Sequence, residues 1–337
     1  MKLQSPLIRM FALAGAVTAA SLFSGCATGV RATSGKPATV ERVAYHGWKD
    51  ALRIRSGTAE VVVVPEIGRV MSFRLLDGDN VFWEDRALDG KRGDASGREW
   101  INFGGDKTWP SPEADWGKYT GRKQWMPPAA FDSLPVSARI ENHDVVLTSP
   151  VDPHYGIRTI RRVQLDGSRL RIATTYERVS GSPSKIGIWV ITQFKDPMTI
   201  HAPVATSSKF PDGYSILSGK PWTLVRRKKK SGADYVEITR DPKASHKMAC
   251  TAGQLTWIGK KEICVVTSPR VFGGKYPDGG ASAEVYANPN PKKYVELEML
   301  GPLSVMKPGD RISRANTYVL IKKSDKDATA KSASQRR

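Results

Sequence analysis

Side chains able to hold a hydroxylated ring crowd one short segment: Trp100, Asn102, Asp106, Lys107, Trp109 and Glu113, with Trp116 and Trp125 close behind. Four of the chain's 9 tryptophans lie there. Indole rings offer flat apolar faces and Asn, Asp, Lys and Glu offer fixed polar groups. That combination suits a molecule with one apolar and one hydroxylated face, such as a sugar. The alternative is that the tryptophans plug the end of a β-sheet, because Trp is highly buried on average. A second group comes late in the chain. Glu296 and Glu298, two apart in Tyr294-Val-Glu-Leu-Glu298, share one face of any strand that carries them. Carboxylates about 7 Å apart on one face repel unless a cation or water lies between them. Lys107 and Arg158 are the candidate cations, and a solvated sheet edge is the competing explanation.

The elements that must position these groups read as β almost throughout. Runs such as Glu60–Val64, Arg69–Leu76, Asp144–Thr148, Arg169–Arg178, Ile186–Gln193, Glu262–Thr267 and Ala315–Ile321 are β-branched or aromatic, and Asp-Gly and Pro-Gly turn signals separate them. No sustained helical period follows the first 26 residues. Gly, Pro and Asp punctuate residues 100–113 so densely that a long ordered loop is expected there, with neither helix nor regular strand. The fold class is therefore all-β: one large antiparallel sandwich over residues 41–322.

The ends read differently. Lys2 and Arg9 precede an apolar run, Met10 to Ala20, which is too short to span a bilayer as a mature helix. The Ser-Gly-Cys26 that follows resembles the lipobox of bacterial lipoproteins. Residues 1–25 are then a signal peptide, Cys26 the lipidated residue, and 26–40 a small, polar tether. Residues 323–337 lack apolar periodicity and are expected to be a disordered basic tail. The formal charge of +19 invites a nucleic-acid reading. Export to the envelope, membrane-anchored and facing the periplasm, argues against it, with the outer membrane the favoured destination. The densest basic run, Arg226–Lys230, reads as an exposed turn. Cys250 and Cys264 are either a disulfide across a hairpin or two buried thiols. No residue cluster has metal-ligand spacing and no cofactor motif is present, so neither a metal nor a cofactor is expected.

Three stretches together resemble the galactose mutarotase-like, or aldose 1-epimerase-like, β-supersandwich superfamily: Gly68-Arg-Val-Met-Ser-Phe73, Asn102-Phe-Gly-Gly-Asp-Lys-Thr-Trp-Pro-Ser-Pro112, and Glu296-Leu-Glu298 running on to Pro308-Gly-Asp310. Within it the chain resembles a bacterial domain family of unknown function, family 4380. The resemblance implies a sugar in a shallow cleft, with a late carboxylate, Glu296 or Glu298, as base at the anomeric hydroxyl. Where histidines of the superfamily's mutarotases fall, this chain has Asp106 and Lys107, and Trp189 and Gln193. The expected site is thus Glu298, Glu296 and Lys107 for acid-base work, with Asn102, Asp106, Trp109, Glu113, Trp116, Trp125, Arg158, Trp189 and Gln193 for binding. Two other functions stay open: a non-catalytic sugar-binding or structural envelope protein, and a lyase or hydrolase acting on an acidic saccharide gripped by Arg158. The sequence does not set the oligomeric state.

Overall fold

The computed structural model describes residues 37–206, 208–219 and 221–323. The expected leader, Cys26, most of the tether and the tail beyond 323 lie outside the described residues. Within them the β-branched runs become strands, whose pleated surface accommodates Val, Ile and Thr. The chain opens with β1 (Thr39–Tyr45), β2 (Trp48–Arg55), β3 (Ala59–Val64), β4 (Arg69–Leu75) and β5 (Asp106–Ser111). Two short helices follow, α1 (Trp116–Thr120) and α2 (Ala129–Asp132). Next come β6 (Ser137–Glu141), β7 (Asp144–Thr148), β8 (Ile157–Asp166), β9 (Arg169–Arg178), β10 (Ser184–Lys195), β11 (Thr199–Pro203), β12 (Tyr214–Ser218), β13 (Val225–Lys230) and β14 (Ala233–Ile238). The last are β15 (His246–Cys250), β16 (Gln254–Ile258), β17 (Glu262–Thr267), β18 (Ala283–Ala287), β19 (Tyr294–Leu300), β20 (Ser304–Met306) and β21 (Arg311–Lys322).

These strands form two antiparallel sheets. The eleven-stranded sheet runs β1-β2-β3-β4-β5-β10-β19-β18-β15-β12, with β20 paired to β10; the ten-stranded sheet runs β13-β14-β11-β16-β17-β21-β9-β8-β7-β6. In the ten-stranded sheet β8 and β9 alternate buried and accessible residues, so one face packs inward and the other meets water. The centre of the larger sheet is different. β5 and β19 are buried at every position and β10 at nearly every one, so both faces are covered. The inner face packs on the opposing sheet, as Phe73 and Leu297 do in one core with Ile172 and Leu320. The segment after β5 covers part of the outer face, where Trp116 packs on Trp109 and Trp189, while Phe131 of α2 packs on Tyr155 and on Tyr176 of the opposing sheet.

The structure corrects the expected loop at 100–113. Asp106–Ser111 is a regular strand, β5, in the middle of the sheet. Pro110 is tolerated because β5 has a ladder partner on its β4 side only at Asp106, leaving the rest paired to β10 alone. Gly104 and Gly105 thread the chain into that place at φ of 95° and 69°. A Cβ on Gly104 would lie 2.1 Å from the Trp83 carbonyl oxygen, and one on Gly105 2.5 Å from that of Val70. The basic run is likewise no turn but an edge strand, β13, whose five charged residues are all exposed. Such an edge discourages pairing with another chain. Cys250 on β15 and Cys264 on β17 are buried free thiols in opposite sheets, not partners across a hairpin.

Candidate functional site

Side-chain alternation along β5 divides its residues between two environments. Asp106 and Thr108 point between the sheets. Asp106 is fully buried, accepts hydrogen bonds from Thr192 and Tyr318 at 2.6 Å each, and pairs with Arg161 of the opposing sheet. It is a cross-sheet tie without an opening to the outer face, which corrects its expected role as a ligand-binding residue. A buried carboxylate persists only when paired and hydrogen-bonded. Lys107 and Trp109 point the other way, and the ladders build two rows of side chains from there. Lys107 stands opposite Ile191, which faces Glu298, which faces Glu284; Gln193 stands opposite Glu296, which faces Tyr286, which faces Lys247.

From these rows Glu296, Glu298, Tyr286 and Lys247 line a cleft of about 380 Å³, whose walls also include Trp100, Glu113 and Trp125. A wider hollow of about 600 Å³ adjoins it, sharing Glu113, Trp125, Trp189, Ser218 and Lys247. The smaller compartment is the candidate site because Glu296 and Glu298 line it and not its neighbour.

Glu298 is fully buried. Its Oε2 accepts the Trp189 Nε1–H at 2.8 Å and lies 3.2 Å from Lys247 Nζ, while its Oε1 has no partner. Burial drives its carboxyl well above the usual carboxylate range, against the attraction of Lys247 and with the help of Glu284 and Glu296. Glu284, 2.8 Å from Lys247, is pushed up to about 7 by burial, again opposed by Lys247. For Lys247 burial disfavours the charge, but Glu298 and Glu284 outweigh it and hold the ammonium above its ordinary value. Its Nζ also sits 4.6 Å from the Trp189 ring centroid, a cation-π contact.

Lys107 shows the opposite balance. Its amine is fully buried, has no hydrogen-bond partner and lies 4.7 Å from the Trp109 ring centroid. Glu296 Oε1 is within ion-pair range at 3.6 Å, yet burial outweighs that attraction and holds the amine below its usual value. Glu296 Oε1 accepts the Gln193 Nε2–H at 2.8 Å. Asn102 Nδ2 reaches the Tyr294 hydroxyl at 3.2 Å behind the wall.

The aromatic cluster corrects a second expectation. Trp109 packs edge to face against Trp100, Trp116, Trp125 and Trp189 at centroid distances of 5.3–6.2 Å. Trp109, Trp116 and Trp189 are only 3–4% exposed, so their faces are spent on one another and not offered to a ligand. Trp125, 47% exposed and hydrogen-bonded through Nε1 to Glu113 at 2.8 Å, is the ring left open, with half-buried Trp100 beside it. Arg158 lies on β8 of the other sheet, 3.5 Å from Glu177, so the structure does not bring it to the cleft. None of the five histidines lines the cleft or its neighbour, and among the described residues no group of three or more His, Cys, Asp or Glu is arranged to hold a metal ion.

Sequence reasoning missed Lys247, Glu284, Tyr286 and Tyr294. A signal for two of them was present: Ala283-Glu-Val-Tyr-Ala287 puts a carboxylate and a phenol on one face of a short strand.

No family model matches the chain, and no curated protein matches it significantly. Solved structures do. A galactose mutarotase-like protein from Lactobacillus casei superposes with a TM-score of 0.54 at 8% identity, over 80% of this chain and 100% of that one. One from Clostridium acetobutylicum gives 0.52 at 11%, over 85% and 99%. A candidate aldose 1-epimerase from Escherichia coli K12 gives 0.53 at 10%, over 85% and 100%. The fold is the galactose mutarotase-like β-sandwich. At these identities the likeness establishes the fold alone; what the cleft does is argued from its own residues.

Proposed function

We propose that the protein binds a carbohydrate in this cleft and carries out epimerase-like proton transfer at the sugar's anomeric centre. One observation carries the reading: Glu296 and Glu298 line a cleft beneath open aromatic rings, with the Lys107 amine 3.6 Å behind Glu296, and burial holds that amine below its usual value and the Glu298 carboxyl above its usual range. Ring opening of an aldose needs a base at the anomeric hydroxyl and an acid at the ring oxygen. Opposite shifts, the Lys107 amine downward and the Glu298 carboxyl upward, both caused first by burial, favour a base and an acid in that pair. Trp125 and Trp100 offer stacking faces, and Glu296 accepts a hydroxyl proton. The N-terminal apolar run ending in Ser-Gly-Cys26 supports tethering by a lipid anchor, facing the periplasm.

A specific observation favours a second reading, a non-catalytic sugar-binding module: no histidine lines the cleft. Exchange spectroscopy between the α and β anomers of a bound sugar decides between them. Epimerase-like action speeds exchange above the spontaneous rate and loses that gain in Glu298→Gln. Spontaneous exchange with binding intact leaves the binding module.

A further inference from the structure

The polar atoms of this cleft are unevenly supplied. Its floor and walls hold Glu113, Glu296 and Glu298, with Glu284 next to Glu298 on the adjoining strand, and no arginine among them. The one lysine at the wall, Lys247, is engaged by Glu284 at 2.8 Å and Glu298 at 3.2 Å. Lys107 is fully buried behind Glu296. Lys247 is shared between Glu284 and Glu298, Glu296 meets the fully buried Lys107 amine at 3.6 Å, and Glu113 accepts the Trp125 N–H, so the carboxylates lining the cleft outnumber the lysine at its wall. The unpartnered buried atoms around the site are four acceptors, Glu298 Oε1, Glu284 Oε1, Gln193 Oε1 and Asn102 Oδ1, against two donors, Trp100 Nε1 and Lys107 Nζ. The Gln193 orientation is fixed by its Nε2 donating to Glu296. An unfilled buried acceptor costs free energy until a donor arrives. The rest of the lining is uncharged: the Trp125, Trp100, Tyr286 and Tyr294 rings, whose π faces favour a cation, with Ser218 and Asn288 beside them.

Building on the carbohydrate reading, we propose that the cleft selects a sugar carrying a free, protonated amino group, in preference to a neutral or N-acetylated sugar and against a uronate. A hexosamine presents a hydroxyl-rich ring and an ammonium with three donors and no acceptor, the complement of this lining. A uronate brings a carboxylate to a wall of carboxylates with no guanidinium to grip it. The net positive charge of the whole chain, +19, does not extend to the cleft.

Calorimetric titration of the full chain in detergent with glucosamine, N-acetylglucosamine, glucose and glucuronate tests the assignment. A charge-assisted hydrogen bond to the ammonium predicts glucosamine binding about tenfold or more tighter than N-acetylglucosamine. That preference shrinks as salt is raised and as the pH passes the amine's own titration. Glu113→Gln and Glu296→Gln narrow the ratio toward one; because either variant can fail to fold, the salt and pH series on the unaltered chain stands as an independent reading. Equal affinity for glucosamine and glucose overturns the amino-sugar assignment and leaves the carbohydrate reading intact, as does tighter binding of glucuronate. Absence of binding by every sugar overturns both.

Discussion

Lys247 is the residue whose loss exposes the charge balance of the site most sharply. Its ammonium lies between Glu284 and Glu298, which face each other directly across β18 and β19. Lys247→Met keeps the length of the side chain and its packing on Trp189 while leaving two buried carboxyls opposed. Breaking a buried ion pair on one side costs about 3–5 kcal/mol. The loss must depend on pH. Glu284 titrates at about 7 folded against an ordinary 4.5, so the folded state holds a proton that the unfolded chain has released. Stability from that proton is fully present below pH 4.5 and is lost as pH rises through about 7. Removing Lys247 raises both carboxyls further and moves that window upward. At pH 5 Glu284, already at about 7 before the change, is protonated in the folded variant and Glu298 is shifted the same way, so the cost falls to about 1–2 kcal/mol, that of a lost hydrogen-bonding partner. Denaturant unfolding at pH 5 and pH 8 therefore returns a difference of roughly 2–3 kcal/mol between the two penalties. In a domain of this size each kcal/mol moves the melting point by roughly 2–4 °C. Adding Glu298→Gln recovers much of the pH 8 loss. A penalty equal at both pH values, or no recovery in the double variant, refutes the charge-sharing account.

Three further outcomes follow from the same structure. Trp125→Ala changes stability by only about 0.5 kcal/mol because the ring is exposed, yet weakens sugar binding by about 1 kcal/mol, roughly fivefold, in a titration. Gly104→Ala forces a Cβ against the Trp83 carbonyl at a positive φ and costs more than about 2 kcal/mol, read as a fall in the denaturant midpoint. Asp106→Asn strands Arg161 between the sheets and costs about 3–5 kcal/mol; since Asp106 does not open to the cleft, the folded fraction keeps its sugar affinity, which a titration corrected for active protein measures.

The strands of this fold are legible where one face is apolar and the other polar. β8 and β9 carry that alternation, and their place in a sandwich follows from it. β5 is not legible in that way. Its six residues include a proline, an aspartate and a lysine, and a local reading of Asp106-Lys-Thr-Trp-Pro-Ser111 finds a loop. What makes it a strand is tertiary: β10 supplies the ladder, Arg161 and Tyr318 satisfy the aspartate, and Trp109 and Glu296 surround the lysine. Glu296 and Glu298 were legible as a pair because period two is a local property. The cation beside Glu296 was legible as Lys107, 3.6 Å away; the one beside Glu298 was not, because Lys247 reaches it across two ladders that no spacing in the chain encodes. The same limit explains Trp109: sequence shows an indole beside polar groups, and only the packing shows that four other indoles cover it.

The central claim is that the cleft holds a sugar, and its tryptophans report on it directly. Trp100 and Trp125 line the cleft with accessible rings, so a bound sugar changes their surroundings. The decisive measurement is intrinsic fluorescence titration of the full chain with hexoses, hexosamines and their short oligomers. A saturable change is expected with at least one of them, reduced in Trp125→Ala and in Glu296→Gln. A flat response to every sugar into the tens of millimolar, from folded protein, contradicts it.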